Sequence, residues 1–344
     1  MDIDVALSSG RIVEIGQAFW KSKALLSAVE LNLFTVLAAE GPLDTEGVCE
    51  RVGLHERGAR DFLDALVALG LLTRSDDHRY ANTPETDLFL DRRKATYSGG
   101  FLELCNARLY RSWADLTRVL QTGCPQSHDD DDDGHPDGPF SRLYNNPVDQ
   151  QIFLKGMTGG ALPVAKAIAA TFSWRDCRTV VDVGCAEGCL LVEVAKAHVR
   201  IRGYGFDLPA VQAPFERYVR VNGVAERLAF RPGDFHADAL PAADVIVMGR
   251  VLHNWNLETK KRLLAKAWAA LPVGGTLLVY ERLIDDERRA NATALLASLN
   301  MLVVTSGGFD FTGADCVKWM RETGFRRIRV EPLVASHSMV IATK

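Results

Sequence analysis

Apolar residues recur at helical spacing through Ile12–Leu37, among them Phe19, Leu25, Leu26, Val29, Leu33 and Phe34, which predicts two helices with an unusually apolar surface. Thr45–Val52 and Glu56–Leu69 read as helix, turn, helix, and Gly70, Leu71, Leu72 and Tyr80 follow as a short β-wing. Asp44 or Thr45 supplies an N-cap, and Gly53 and Gly70 stand where helices should stop. This is a winged-helix pattern. Two further helical stretches follow: Ser98–Leu120, with Phe101, Leu104, Leu109, Trp113, Leu116 and Leu120 on one face, and Val148–Phe172.

From Thr179 onward the pattern changes to short, mostly apolar runs separated by helical ones. Thr179–Val183, Gly203–Leu208, Leu228–Arg231, Ala243–Met248, Gly275–Glu281, Arg326–Glu331 and Ser338–Thr343 read as strands, the last two as a hairpin. Helices at Cys189–His198, Ala213–Val221, Glu258–Ala270 and Gly313–Glu322 separate most of them. The fold class expected is α/β: a seven-stranded, doubly wound, Rossmann-like sheet behind a mainly helical winged-helix domain. The boundaries expected are 1–104 for the N-terminal domain, 105–175 for connecting helices, and 176–344 for the sheet domain.

Composition narrows the picture. At 344 residues and 47% hydrophobic, the chain has core enough for two domains. Its net charge of −4 offers no general basic surface. The second helix of the winged pattern carries Glu56, Asp61 and Asp64 beside only Arg57 and Arg60, a poor match to a phosphate backbone, so nucleic acid is not the expected partner. No apolar run is long enough to span a membrane and Met1–Gly10 lacks a signal-peptide pattern, which gives a cytoplasmic expectation. Seven cysteines without a C-x-x-C pair suit buried thiols better than disulfides or structural zinc. Segment 121–138 holds five consecutive aspartates, Asp129–Asp133, and is expected to be an exposed loop. His128 and His135 in it offer at most an adventitious metal contact.

The chemistry gathers at the predicted strand ends, where doubly wound sheets bind ligands. Thr179–Val183 runs into the small-residue turn Gly184–Gly188 and then a helix, and the next strand ends at Asp207. A bare turn and a helix start let a ligand approach closely, and the acid can accept from both hydroxyls of a ribose. The dinucleotide pattern G-x-G-x-x-G fails at Ala186 and Cys189. The shorter D-x-G-x-G-x-G of S-adenosylmethionine methyltransferases is met at Asp182, Gly184 and Gly188 but not at Ala186. An α/β crossover without a nucleotide is the plain alternative. Further strand ends carry Gly233-Asp234-Phe235, then Met248-Gly249-Arg250-Val251-Leu252-His253-Asn254-Trp255, then Glu281, with Gly307-Gly308-Phe309-Asp310 before the last predicted helix.

On these motifs the whole chain resembles bacterial small-molecule O-methyltransferases related to the caffeate and acetylserotonin O-methyltransferases. The resemblance implies S-adenosylmethionine as cofactor, no metal, and a homodimer through the N-terminal domain. It places Gly184, Asp207 with Leu208, Asp234, Phe235 and Gly249 or Arg250 at the cofactor. It makes His253 the general base, bracketed by Glu281 and Asp310, and puts Met157, Asn254, Met301 and Thr305 at the acceptor. The sequence departs from the family at several of these positions. Cys185 and Ala186 replace turn glycines, Gly249 stands where a basic residue is usual, Asn254 replaces a frequent aspartate, and Asp310 is usually glutamate.

The implied reaction is methylation of a phenolic hydroxyl in natural-product or antibiotic biosynthesis. Phenol ionises near pH 10 and imidazole near 6.5, so a positioned histidine can take the proton as the bond to carbon forms. The alternatives are nitrogen methylation, a diverged decarboxylase or hydroxylase on the same fold, and a ligand-sensing winged-helix regulator.

Overall fold

A computed structural model describes residues 7–126, 143–144, 146–334 and 336–344. The aspartate run and His128 and His135 lie outside the described residues. By packing, the chain divides into two units, Met1–Arg108 and Leu109–Lys344.

In the first unit, helices Gly10–Glu30 and Leu33–Glu40 meet at Asn32, whose φ of 58° turns the chain. Helices Thr45–Val52 and Glu56–Ala68 follow, then the antiparallel pair β1 (Leu72–Arg74) and β2 (Tyr80–Asn82), and helix Pro84–Leu90. Asp44 is the N-cap of its helix, accepting from the Gly47 amide at 2.9 Å, and Gly53 ends that helix with a left-handed φ of 75°. Ala28, Val29, Leu33, Phe34, Val48, Leu63, Leu66 and Tyr80 form the core. Along Gly10–Glu30 only the last third turns inward: Ile12, Ile15, Phe19 and Trp20 are each more than half exposed. No single helix among the described residues is long and apolar enough to cross a membrane.

The sequence predicts one helix over Ser98–Leu120, and here the structure differs. The segment breaks into helix Gly100–Leu104, a π-turn at Cys105–Leu109, a 3₁₀ turn at Trp113–Asp115 and helix Leu116–Thr122. Its two ends have different anchors. Asn106 binds Lys23 and Glu30 at 2.6 and 2.7 Å, whereas the Trp113 indole donates to Asn300 at 2.8 Å. Helical spacing in the sequence does not register the inserted residue of a π-turn.

The second unit is built on one mixed sheet of seven strands: β3 (Thr179–Val183), β4 (Arg202–Asp207), β5 (Leu228–Pro232), β6 (Val245–Gly249), β7 (Thr276–Glu281), β8 (Arg326–Pro332) and β9 (Ser338–Thr343). Their spatial order is β5-β4-β3-β6-β7-β9-β8, with only β9 antiparallel to its neighbours. The order reverses at β3, so a crevice opens between the carboxyl ends of β3 and β6. Both faces are covered. Leu190, Leu191 and Val194 of helix Cys189–Ala197 pack on one side with helix Pro147–Thr171; Leu263, Leu264 and Ala267 of helix Leu257–Ala270 pack on the other with Trp319 and Met320. Helix Ala292–Val304 has no counterpart in the sequence-based reading, because ATALLASLNMLVV is apolar almost throughout and shows no period.

Candidate active site

The turn after β3 is shaped by steric necessity. Gly184 has φ 71°, and a Cβ on it would stand 2.7 Å from Val251; Gly188, φ 86°, would collide with the Phe215 ring at 2.5 Å. Ala186 takes a left-handed φ of 48°, so the motif position that lacks its glycine still has the glycine conformation. Its amide donates to Asp207 Oδ2 at 2.9 Å, while the Leu208 amide donates to Oδ1 at 2.8 Å. Burial pushes Asp207 up to about 6 and those two amides pull it back. Each oxygen keeps further acceptor capacity, as binding two adjacent ribose hydroxyls requires. Asp182, one strand inward, is raised by burial and by Asp207 to about 8. Tyr144, which the motifs do not reveal, has its hydroxyl held well above its usual range by burial and then by the charge of Asp207.

After β5 the Asp234 Oδ1 caps the His236 amide at 2.8 Å, and Phe235 packs edge-on against Trp255 with ring centres 5.8 Å apart. Gly249 closes β6 for a reason the motif does not give. A Cβ there would lie 2.0 Å from the Tyr280 ring, so that phenol fills the space of any side chain at 249. The neighbouring Arg250 adopts φ 56°, and its charge works against protonation of His253.

His253, Glu281 and Asp310 come together from three separate segments. His253 sits on a short 3₁₀ turn, Leu252–Asn254, Glu281 ends β7, and Asp310 follows the glycine pair Gly307–Gly308. The imidazole Nδ1 stands 3.3 Å from Asp310 Oδ1 and 3.7 Å from Glu281 Oε2, and the His253 amide donates to Glu281 Oε1 at 3.4 Å. Both acids are 1% exposed and His253 9%. Burial lowers the histidine, but the charge of Glu281 and the bond to Asp310 outweigh it, leaving the imidazole above its ordinary value. Burial raises Glu281 to about 7 despite the opposing pull of His253. Two carboxylates facing Nδ1 favour a proton there, which leaves the Nε2 lone pair to act as a base.

The residues expected at the acceptor divide. Met157 on helix Pro147–Thr171 is half-buried and Met301 is buried. Asn254 turns its amide back onto the carbonyls of Arg250 and Val251 at 3.1 and 3.3 Å. The Thr305 hydroxyl donates to the Met301 carbonyl at 2.6 Å and accepts from the Gly308 amide at 2.8 Å. In this structure both polar groups therefore shape the loops around His253.

The strand order, the glycine turn facing an acid at the next strand tip, and a histidine at the end of β6 define an S-adenosylmethionine-dependent methyltransferase. Residues 113–326 match an O-methyltransferase domain and residues 13–92 an O-methyltransferase dimerisation domain. The chain belongs to this O-methyltransferase family. It is 40% identical to the tetracenomycin polyketide synthesis 8-O-methyltransferase TcmO of Streptomyces glaucescens, over 97% of this chain and 96% of that one. Identity is 32% to the 3-hydroxy-5-methyl-1-naphthoate 3-O-methyltransferase of Streptomyces sahachiroi and 34% to the N,N-dimethyltransferase OxyT of Streptomyces rimosus, each over 92% of this chain and 90% of the relative. Human N-acetylserotonin methyltransferase, solved with S-adenosylmethionine, superposes with a TM-score of 0.90 at 27% identity, covering 100% of this chain and 99% of that one.

Proposed function

We propose that the chain methylates a phenolic hydroxyl of an aromatic, polyketide-type small molecule, with His253 as the general base. The observation that carries the reading is the pairing of His253 Nδ1 with two buried acids, which leaves Nε2 as the lone-pair nitrogen. When bound, S-adenosylmethionine would supply a sulfonium methyl group, the sulfur–methyl bond breaking as the acceptor oxygen takes the methyl and the neutral thioether S-adenosylhomocysteine leaving. Asp207 and Asp234 hold the nucleoside, and Gly184 keeps the turn bare beneath it. Nε2 of His253 takes the hydroxyl proton of the acceptor, while Glu281 and Asp310 stabilise the resulting imidazolium. Burial of the three side chains keeps bulk water from competing for that proton. Met157 and Met301 supply apolar wall to the acceptor pocket.

His253→Ala should lower kcat by about 10²–10⁴-fold with S-adenosylhomocysteine affinity intact, the loss shrinking as rising pH ionises the phenol unaided. A wild-type kcat at neutral pH, with an acceptor as basic as simple phenol, would remove His253 from the chemistry. The relatives TcmO and the naphthoate enzyme favour oxygen over nitrogen as acceptor atom. OxyT shows that a relative of comparable identity carries a nitrogen-methylating name, so mass spectrometry of labelled products from phenol and amine panels decides between them.

The protein is further proposed to act as a cytoplasmic homodimer. The exposed Ile12, Ile15, Phe19 and Trp20 lie within or at the edge of the matched dimerisation region, and a second copy is the natural cover for that face.

A further inference from the structure

Behind the triad lies a buried cation that the proposed mechanism does not use. Lys260, in the first turn of helix Leu257–Ala270, is wholly buried. Its Nζ donates to the Trp255 carbonyl, two residues from His253. It also lies 3.4 Å from the centre of the Phe309 ring and 5.6 Å from that of Phe311, the two neighbours of Asp310. One ammonium therefore grips both segments that bring His253 and Asp310 together. The approach is tight, since Gly308 leaves no room for a Cβ against the His253 carbonyl at 2.6 Å.

Burying an ammonium with one carbonyl and two ring faces is costly, and an apolar side chain would fill the place more cheaply. The compensation is electrostatic, because Glu281 and Asp310 both act on Lys260. With both acids ionised and His253 neutral, Lys260 brings the buried group to a net charge of −1; protonating His253 brings it to zero. The other groups felt here are Arg250, whose charge opposes that of His253, and Tyr280 and Cys316, which burial keeps protonated.

We propose that Lys260 is a positioning residue for methyl transfer: its ammonium holds the His253 and Asp310 segments together and places a positive charge behind the two acids that face His253, so that the imidazole meets the acceptor aimed. The proposal rests on the reading of His253 as the base. Burial depresses Lys260 to about 8, with Glu281 and Asp310 pulling it back up, so it is charged wherever the triad titrates below that pH. Removing a nearby positive charge makes every proton in the group harder to lose, and the acid limb of kcat must then move to higher pH.

The test compares Lys260→Met, Lys260→Gln and Lys260→Arg by kcat and KM from pH 5.5 to 9.5, with thermal melting and S-adenosylhomocysteine binding alongside. Lys260→Met should lower kcat about 10- to 100-fold and raise the acid limb by about one pH unit, leaving KM for S-adenosylmethionine within about twofold. Lys260→Gln can still donate to the Trp255 carbonyl, so it should move the limb equally with a smaller loss of rate. Lys260→Arg keeps the charge and should leave the limb in place. If the Met variant does not fold, the Gln variant carries the test. A limb that stays put in the folded neutral variants overturns the proposal, since a mere core filler would change rate or melting without moving it. His253→Ala separates the two readings: a retained rate there removes the base, whereas a collapsed rate with an unmoved limb in the Lys260 variants removes only the role of Lys260.

Discussion

Gly308→Ala is the sharpest perturbation available at this site, because it adds one methyl group and replaces no functional side chain. The added Cβ would sit 2.4 Å from Thr305 Oγ1, 2.6 Å from the His253 carbonyl and 2.9 Å from the Asn254 carbonyl carbon. Contacts become ordinary only at 3.4 Å, so the segment must withdraw from His253 by 3.4 − 2.6 = 0.8 Å. Two of these neighbours are backbone, and the third, the Thr305 hydroxyl, is already bonded to the Met301 carbonyl and the Gly308 amide. Asp310, two residues on, moves with the segment and its 3.3 Å approach to Nδ1 lengthens. Overpacking of this kind costs about 1–3 kcal/mol of stability. A displacement approaching 1 Å in a catalytic group costs up to about 10²-fold in rate, so kcat should fall about 10- to 100-fold. Asp207 and the β3 turn lie on other segments, so S-adenosylhomocysteine affinity should hold. Steady-state kinetics with one phenolic acceptor, calorimetric binding and a melting curve together make the assay. Wild-type melting and wild-type kcat in Gly308→Ala would refute the claim that this close approach sets the geometry of the triad.

Asp207→Ala should weaken S-adenosylhomocysteine binding by about 1–3 kcal/mol, measured by calorimetry; unchanged affinity would move the nucleoside elsewhere. Ala186→Gly should raise stability by a few tenths to about 1 kcal/mol, the relief of a left-handed alanine set against a looser unfolded chain, as read from denaturant melts. Asp182 is held protonated up to about pH 8 in the folded state but ionises near 4 when unfolded. Its contribution is therefore fully present at low pH and lost as pH rises toward 8, so stability should fall over that window less steeply in Asp182→Asn than in wild type. Phe19→Asp with Trp20→Asp should yield a monomer by light scattering; a persistent dimer would place the interface on another face.

Much of this molecule was legible in the chain because local pattern and the required chemistry agree. The alternation of short apolar runs with helical ones gave all seven strands, and the residues after them, Asp207, Asp234, His253 and Glu281, fell at strand ends because a parallel sheet collects its loops at one edge. Lys260 was not among the residues singled out from the sequence, although it shares the inward face of its helix with Leu263, Leu264 and Ala267. Only packing could decide what that position means, since a lysine on an apolar stripe says nothing about which charges wait behind it. Tertiary structure likewise decided that Tyr280 excludes a side chain from Gly249 and that Ala186 must adopt a glycine conformation. It also turned the Asn254 and Thr305 side chains to bracing loops. Each of these depends on contacts between segments tens of residues apart, whose distances no local periodicity encodes.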